Sequence, residues 1–308
     1  METIMARMTT AELRGYHQIC GSDGAMMVIA CDQRGSMRSL LTPEKVEQAK
    51  IDNDMLGDVK ADITKYLASK ASCVLVDPVC AVPRLVDGGL LDRSTALLIG
   101  LDASGWDTTP EGYRLSKLVE GITARRVREL GGTGGKIMVY LRSDTPAANT
   151  HNIAILDQVI SDFIREDLLL VVEFLTYALE NESPETYAAK IPELIQGGSK
   201  ICLDRGSKVL KIPYPGSAES CAAVTKLAGD VPWAVLSAGV NHETFLGQVD
   251  VAMANGASGV IAGRSLWKDC ISLDRAVTRQ RLETIAVPRL REIQAVIARH
   301  RAPAVKVA

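Results

Sequence analysis

No two cysteines in this 308-residue chain stand at CxxC spacing. The seven (Cys20, Cys31, Cys73, Cys80, Cys202, Cys221 and Cys270) are dispersed, and an odd, scattered set argues for reduced thiols packed as small hydrophobes. A charge excess is missing too. Lys and Arg number 35 against 37 Asp and Glu, a net charge of −2 with a pI near 6.1. That balance gives no electrostatic reason to expect nucleic acid or an anionic membrane as a partner. No apolar run approaches the ~18 residues of a spanning helix, and the first residues are polar, so the expected location is the cytoplasm. The four histidines (His17, His151, His242, His300) lack metal-ligand spacing, which speaks against a zinc site. Low-complexity segments, internal repeats and long linkers are also absent, so residues 1–308 read as one domain.

What is present is a regular alternation. Continuous apolar runs fall at Ala25 to Cys31, Cys73 to Val76, Ala96 to Leu101, Lys136 to Leu141, Leu168 to Glu173, Lys208 to Ile212, Trp233 to Ser237 and Ser258 to Ala262. Such runs are expected of parallel strands covered on both faces. Eight of them separated by helical segments predict a (β/α)8 TIM barrel spanning about residues 25–262, with a leading N-terminal helix and a C-terminal helix. An open doubly wound sheet is the competing fold, but no GxGxxG follows the first run. Thr9 to Glu12 has the form of a capping box, and Thr42-Pro43-Glu44 that of an N-cap with proline first in the helix. Helical spacing covers Ser116 to Leu130, Ile153 to Arg165, Ser217 to Leu227, His242 to Ala254, and Leu273 to about His300; the tail from Arg301 to Ala308 reads as frayed. Two inserts, Cys80 to Ser94 and Asp102 to Arg114, follow the second and third strands. Functional loops and surface elaboration are both open readings of them.

Three of the strand runs carry a charge where none should be buried. Lys136 begins one, Glu173 ends the next, and Lys211 lies inside Val209-Leu210-Lys211-Ile212. Desolvating an ammonium costs several kcal/mol unless it is paired or neutralised. Burial also depresses a lysine pKa and frees the amine as a nucleophile. Three such charges on successive strands suggest Schiff-base chemistry. Asp32-Gln33-Arg34-Gly35 ends the first strand, where polar residues project into a barrel's site, although Asp32 could equally cap a turn. Ser237-Ala238-Gly239 and Gly263-Arg264 end the seventh and eighth strands. Small residues there admit an anion to backbone N–H groups, and Arg264 offers a bidentate clamp for phosphate.

Taken together, Asp32-Gln33-Arg34-Gly35, Val76-Asp77-Pro78, Lys136 to Tyr140, Val171-Val172-Glu173-Phe174, Val209-Leu210-Lys211, Leu236-Ser237-Ala238-Gly239-Val240 and Ala262-Gly263-Arg264-Ser265-Leu266-Trp267 resemble the class I tagatose-1,6-bisphosphate aldolases and their relatives that split sulfofructose 1-phosphate. The order is kept over roughly Ala25 to Lys268. The resemblance implies cleavage of a ketose 1-phosphate to dihydroxyacetone phosphate and an aldehyde, without metal or organic cofactor, in a homo-oligomer (dimer or tetramer). It implies Lys211 as the iminium-forming nucleophile and Glu173 as the proton shuttle. Lys136 would lower the Lys211 pKa and hold the carbinolamine oxygen, while Asp32 and Gln33 bind substrate hydroxyls. Ser237, Gly239, Gly263 and Arg264 would take the 1-phosphate. Gly105 to Leu130 resembles the tagatose branch and Leu141-Arg142-Ser143-Asp144 the sulfo-sugar branch, so phosphate, sulfonate or hydroxyl at C6 stay open, with Arg34, Arg84 and Arg142 as candidate partners. A metal-dependent barrel lyase would need a His and carboxylate ligand set that is not seen. A barrel that senses sugar phosphate without catalysis is the reading from another class.

Overall fold

All eight apolar runs form parallel strands in the computed structural model, which describes residues 8–301. They are β1 (Met26–Cys31), β2 (Cys73–Val76), β3 (Ala96–Gly100), β4 (Gly134–Tyr140), β5 (Leu169–Leu175), β6 (Leu210–Pro213), β7 (Trp233–Leu236) and β8 (Gly259–Ala262). Each pairs with its neighbours in sequence, and β8 pairs with β1 to close the barrel. Closure depends on a glycine. Gly259 adopts φ +143°, and a Cβ there would stand 2.2 Å from the Met26 carbonyl oxygen, so no side chain fits at that seam.

The strands are buried on both faces, and the period of two divides them into two cores. Met26, Val28 and Ala30 join Cys73, Leu75, Leu98, Leu169, Val171 and Ile261 inside the barrel. Met27, Ile29 and Cys31 face the helical layer, where Phe163, Phe174, Trp233 and Trp267 fill the space. The leading helix, Thr10–Ile19, plugs the N-terminal mouth: Ile19 belongs to the inner core, with Tyr16 packed against it. Its predicted capping box is present, with Thr9 Oγ1 accepting from the Glu12 N–H and Glu12 Oε2 accepting from the Thr9 N–H.

Several helix boundaries differ from the sequence pattern. Thr42 does not start a helix. It ends one, Gly35–Leu41, and its hydroxyl donates to Glu44, which precedes the helix Lys45–Lys50. The span predicted as helix from Ser116 is helical only over Ala124–Glu129, capped by the Thr123 side chain. Buried Asn152 explains the difference, because its Oδ1 accepts from the Ser116 N–H and its Nδ2 donates to the Arg114 and Tyr140 carbonyls. These bonds hold residues 114–116 extended against the barrel. The closing helix is interrupted at Leu282–Ala286 by a turn of π-helix, just ahead of Pro288. The expected fraying from 302 onward lies outside the described residues. A 21-residue helix, Pro184–Asp204, was not apparent in the sequence because Pro192 and a glycine pair interrupt its pattern. Among the described residues, no helix is long and apolar enough to cross a membrane.

Candidate active site

The inside–outside alternation also decides where the buried charges point. Counting by two from Met26, Val28 and Ala30 reaches Asp32, and from Ala96 and Leu98 the count passes Gly100 to Asp102. On β5 it runs from Leu169 and Val171 to Glu173, and on β6 from Val209 to Lys211. Lys136 is in register with Gly100 on one side and Val171 on the other, and Glu173 with Lys211. Five charged side chains therefore close the C-terminal end of the apolar interior, the end where barrel active sites are built.

These charges form one connected network. Lys136 Nζ stands 2.7 Å from Asp32 Oδ2, 2.6 Å from Asp102 Oδ1 and 3.3 Å from Glu173 Oε2. Lys211 Nζ donates to the same Glu173 Oε2 at 2.8 Å. Both lysines are almost fully buried. Desolvation alone would lower the Lys136 pKa, but Asp102, Asp32 and Glu173 outweigh it and hold the pKa well above that of an ordinary lysine. Burial pushes the Asp32 carboxyl up, yet Lys136 and Lys211 overcome this and leave it well below the usual range. Asp102 moves in the opposite direction, raised by burial, against the pull of Lys136, and by the charges of Asp32 and Glu173. Lys136 is thus a fixed cation whose charge the carboxylates largely balance. Lys136 and Lys211 meet at one shared carboxylate oxygen, Glu173 Oε2.

Two adjoining cavities of 270 and 440 Å³ open onto this network, and Gln33, Tyr140, Glu173, Lys211 and Arg264 line both. Gln33 Nε2 donates to Asp32 Oδ1 at 3.0 Å, while its Oε1 is buried and has no partner. Ser237, Gly263 and Arg264 line the smaller cavity, where the ends of β7 and β8 meet. Gly239 lies beneath Arg264 and does not face the cavity: a Cβ there would touch the guanidinium carbon at 3.4 Å, and its φ is +82°. Gly263 answers to a packing demand as well, since a Cβ would stand 2.7 Å from the Ala30 carbonyl oxygen. Arg34 lines the larger cavity, donating to the Asp102 carbonyl at 2.9 Å and to Ser104 Oγ at 3.4 Å, with Asp77 Oδ1 at 4.0 Å. Asp77 is held in turn by the buried Lys60.

Two of the arginines considered for the C6 group lie elsewhere. Arg142 is fully buried, and its guanidinium is taken up by Asp144, Glu182 and the Tyr177 carbonyl. Arg84 pairs with Asp58 on the helical surface. The insert from Cys80 to Ser94 contributes to neither cavity, whereas the one from Asp102 to Arg114 contributes Asp102, Ser104 and Trp106 to one and Arg114 to the other. Asp102, Arg114 and Tyr140 are site residues that the sequence reading did not single out. The same count of two that reaches Glu173 would have found Asp102. Among the described residues, no group of three or more His, Cys, Asp or Glu is placed to hold a metal ion.

A model of the DeoC/LacD family aldolases matches residues 26–269. A tagatose 1,6-diphosphate aldolase of Listeria monocytogenes serotype 4b is 28% identical over 296 residues, covering 87% of this chain and 85% of that protein. Tagatose 1,6-diphosphate aldolase 2 of Streptococcus mutans serotype c is 25% identical over 309 residues, covering 91% and 92%. Among solved structures, a Schiff-base-forming fructose-1,6-bisphosphate aldolase aligns with a TM-score of 0.64 at 19% identity, over 92% of this chain and 98% of that one. The fructose-bisphosphate aldolase of Slackia heliotrinireducens aligns with a TM-score of 0.62, also at 19% identity, over 96% and 92%. At these identities the structural likeness is one of fold.

Proposed function

The chain belongs to the DeoC/LacD aldolase family, and on that premise we propose that it cleaves a ketose 1-phosphate through a Schiff base on Lys211, giving dihydroxyacetone phosphate and an aldehyde. One observation carries this reading: a buried lysine amine stands 2.8 Å from a buried carboxylate that a second, permanently charged lysine also contacts.

Lys211 Nζ attacks the ketose C2, and the carbonyl oxygen takes a proton to become the carbinolamine hydroxyl. Glu173, within reach of Nζ, carries the proton that lets this hydroxyl leave as water. Lys136 steadies the departing oxygen and keeps Glu173 oriented. The resulting iminium accepts the electron pair of the C3–C4 bond as the C4 hydroxyl gives up its proton to the Glu173 carboxylate, which returns it to the enamine. The aldehyde leaves and an enamine remains, which is protonated at C3 and hydrolysed to regenerate the Lys211 amine. Asp32, kept ionised by the two lysines, accepts substrate hydroxyl protons in hydrogen bonds, and the unpartnered Gln33 Oε1 offers a second acceptor. Arg264, with Ser237 and the turn at Gly263, holds the 1-phosphate as a planar fork.

Borohydride added with dihydroxyacetone phosphate tests this directly. The expected result is inactivation with the reduced adduct on Lys211. An adduct on Lys136, or no adduct with activity intact, would refute the assignment.

A further inference from the structure

A third cavity, of 660 Å³, lies at the other end of the barrel, against the leading helix Thr10–Ile19 and the starts of β3 and β4. It exceeds both cavities at the lysines, of 270 and 440 Å³, and falls within the roughly 300–1,000 Å³ of small-molecule sites. From Ala96 on its lining to Asp102 the chain runs ~20 Å as extended strand. One small ligand therefore cannot reach both ends.

The insert from Cys80 to Ser94, which lines neither cavity at the lysines, builds much of this one. Leu85, Val86 and Leu91 give it an apolar wall, and Arg93 lines it where the insert returns to β3. Arg14 and His17, one turn apart on the leading helix, bring two more cationic side chains. The carboxylates nearest to these groups in sequence are engaged elsewhere. Glu12 holds Lys208. Asp92, the carboxylate on the lining, accepts from the Ser94 N–H at 2.9 Å and from Ser94 Oγ at 2.6 Å. The insert's other arginine, Arg84, pairs with Asp58; among the described residues no carboxylate pairs with Arg14, His17 or Arg93. A lone exposed arginine is simply solvated. Two guanidiniums and an imidazole on one concave surface focus positive potential there and concentrate counter-ions.

We propose that this cavity is a second anion site, separate from the reaction cavity, for a small phosphorylated molecule. Two guanidinium forks and an imidazole can divide the oxygens and the double charge of a phosphate among them, whereas a carboxylate offers one bidentate edge and one charge. The volume leaves room for the body that carries the phosphate. The site goes beyond the aldolase reading and does not depend on it, but its occupant rests on the strands that serve the reaction end. The Leu97 N–H donates to Thr133 Oγ1 at 3.1 Å and the Thr133 N–H to the Leu97 carbonyl at 2.7 Å. These bonds tie together the starts of β3 and β4, and just beyond Gly100 and within β4 stand Asp102 and Lys136, 2.6 Å apart.

Calorimetry with inorganic pyrophosphate tests the site. The protein is first treated with dihydroxyacetone phosphate and borohydride, which fills the Lys211 cavity. Titration of this labelled wild type should still show pyrophosphate bound. Arg14→Ala and Arg93→Ala should each weaken that binding about 10-fold, the lower end for a lost hydrogen bond to a charged group, and the double variant should abolish it. Both side chains are exposed, so the variants should melt as the wild type does and keep its turnover. No binding to the labelled wild type, or equal binding to the double variant, would overturn the proposal. The second of these results would place the anion among the arginines at the other end of the barrel. If no label forms on Lys211, the Schiff-base reading fails, and the binding lost between unlabelled wild type and double variant judges this site instead. Should the double variant not fold, the two single variants decide.

Discussion

Glu173 Oε2 lies 2.8 Å from Lys211 Nζ and 3.3 Å from Lys136 Nζ. One carboxylate oxygen therefore serves two buried lysines, and the fixed charge of Lys136 limits what Glu173 can give Lys211. A group in that position can exchange a proton with Lys211 without leaving its own site.

Glu173→Gln keeps the shape but removes the proton exchange. Turnover should fall by ~10²–10⁴, the usual span for a positioned acid or base, with substrate affinity changed far less. Near-normal kcat in this variant would remove Glu173 from the chemistry.

Lys136→Met leaves Asp32, Asp102 and Glu173 without their shared cation. Breaking such a cluster costs about 3–5 kcal/mol, because the remaining charges stay buried. The sign with pH is set by the carboxyls. Without Lys136 the Asp102 carboxyl, already raised by burial, moves further up, so stability is present at low pH and lost as pH rises through the new value. Denaturant titration should therefore show a smaller loss for the variant near pH 5 than near pH 8. A penalty that does not vary with pH would contradict the pairing.

Glu182 behaves in the opposite way. Hydrogen bonds from Arg142 and Lys190, against a desolvation cost, hold its carboxyl well below the usual range. A depressed carboxyl stabilises the fold above its unfolded pKa, near 4.5, and that contribution is lost as pH falls toward the folded value. Glu182→Gln should cost on the order of 3 kcal/mol at neutral pH, since it leaves the buried Arg142 with Asp144 as its remaining carboxylate, and it should flatten the acid limb of the stability curve. Thermal melts between pH 3 and 7 read both effects.

Arg264→Ala should weaken dihydroxyacetone phosphate binding by roughly 1.5–3 kcal/mol, the range for hydrogen bonds to a charged group. The loss should be the same for every ketose 1-phosphate, whatever occupies C6. Calorimetry with the three-carbon product measures it, and a loss confined to substrates charged at C6 would reverse the substrate orientation.

The barrel was legible in the sequence because each strand is a short, doubly covered apolar run, and parity along a strand is fixed by the backbone itself. The count of two that buries Val171 also turns Glu173 inward, and Lys211 stands out because an ammonium among Val209, Leu210 and Ile212 has no cheap explanation. The same alternation reaches Asp102, which stands at the start of the insert after the third strand run.

Tertiary structure decided the rest. Which carboxylates meet Lys136 depends on barrel closure and register, which bring residues 32, 102, 136 and 173 within bonding distance across four strands. Arg114 and Arg142 look alike as isolated residues. One rests among three rings, on a segment that Asn152 holds extended, and the other is neutralised by Asp144 and Glu182. A side chain's partner 38 or 40 positions away is set by packing, and short-range pattern carries no record of it.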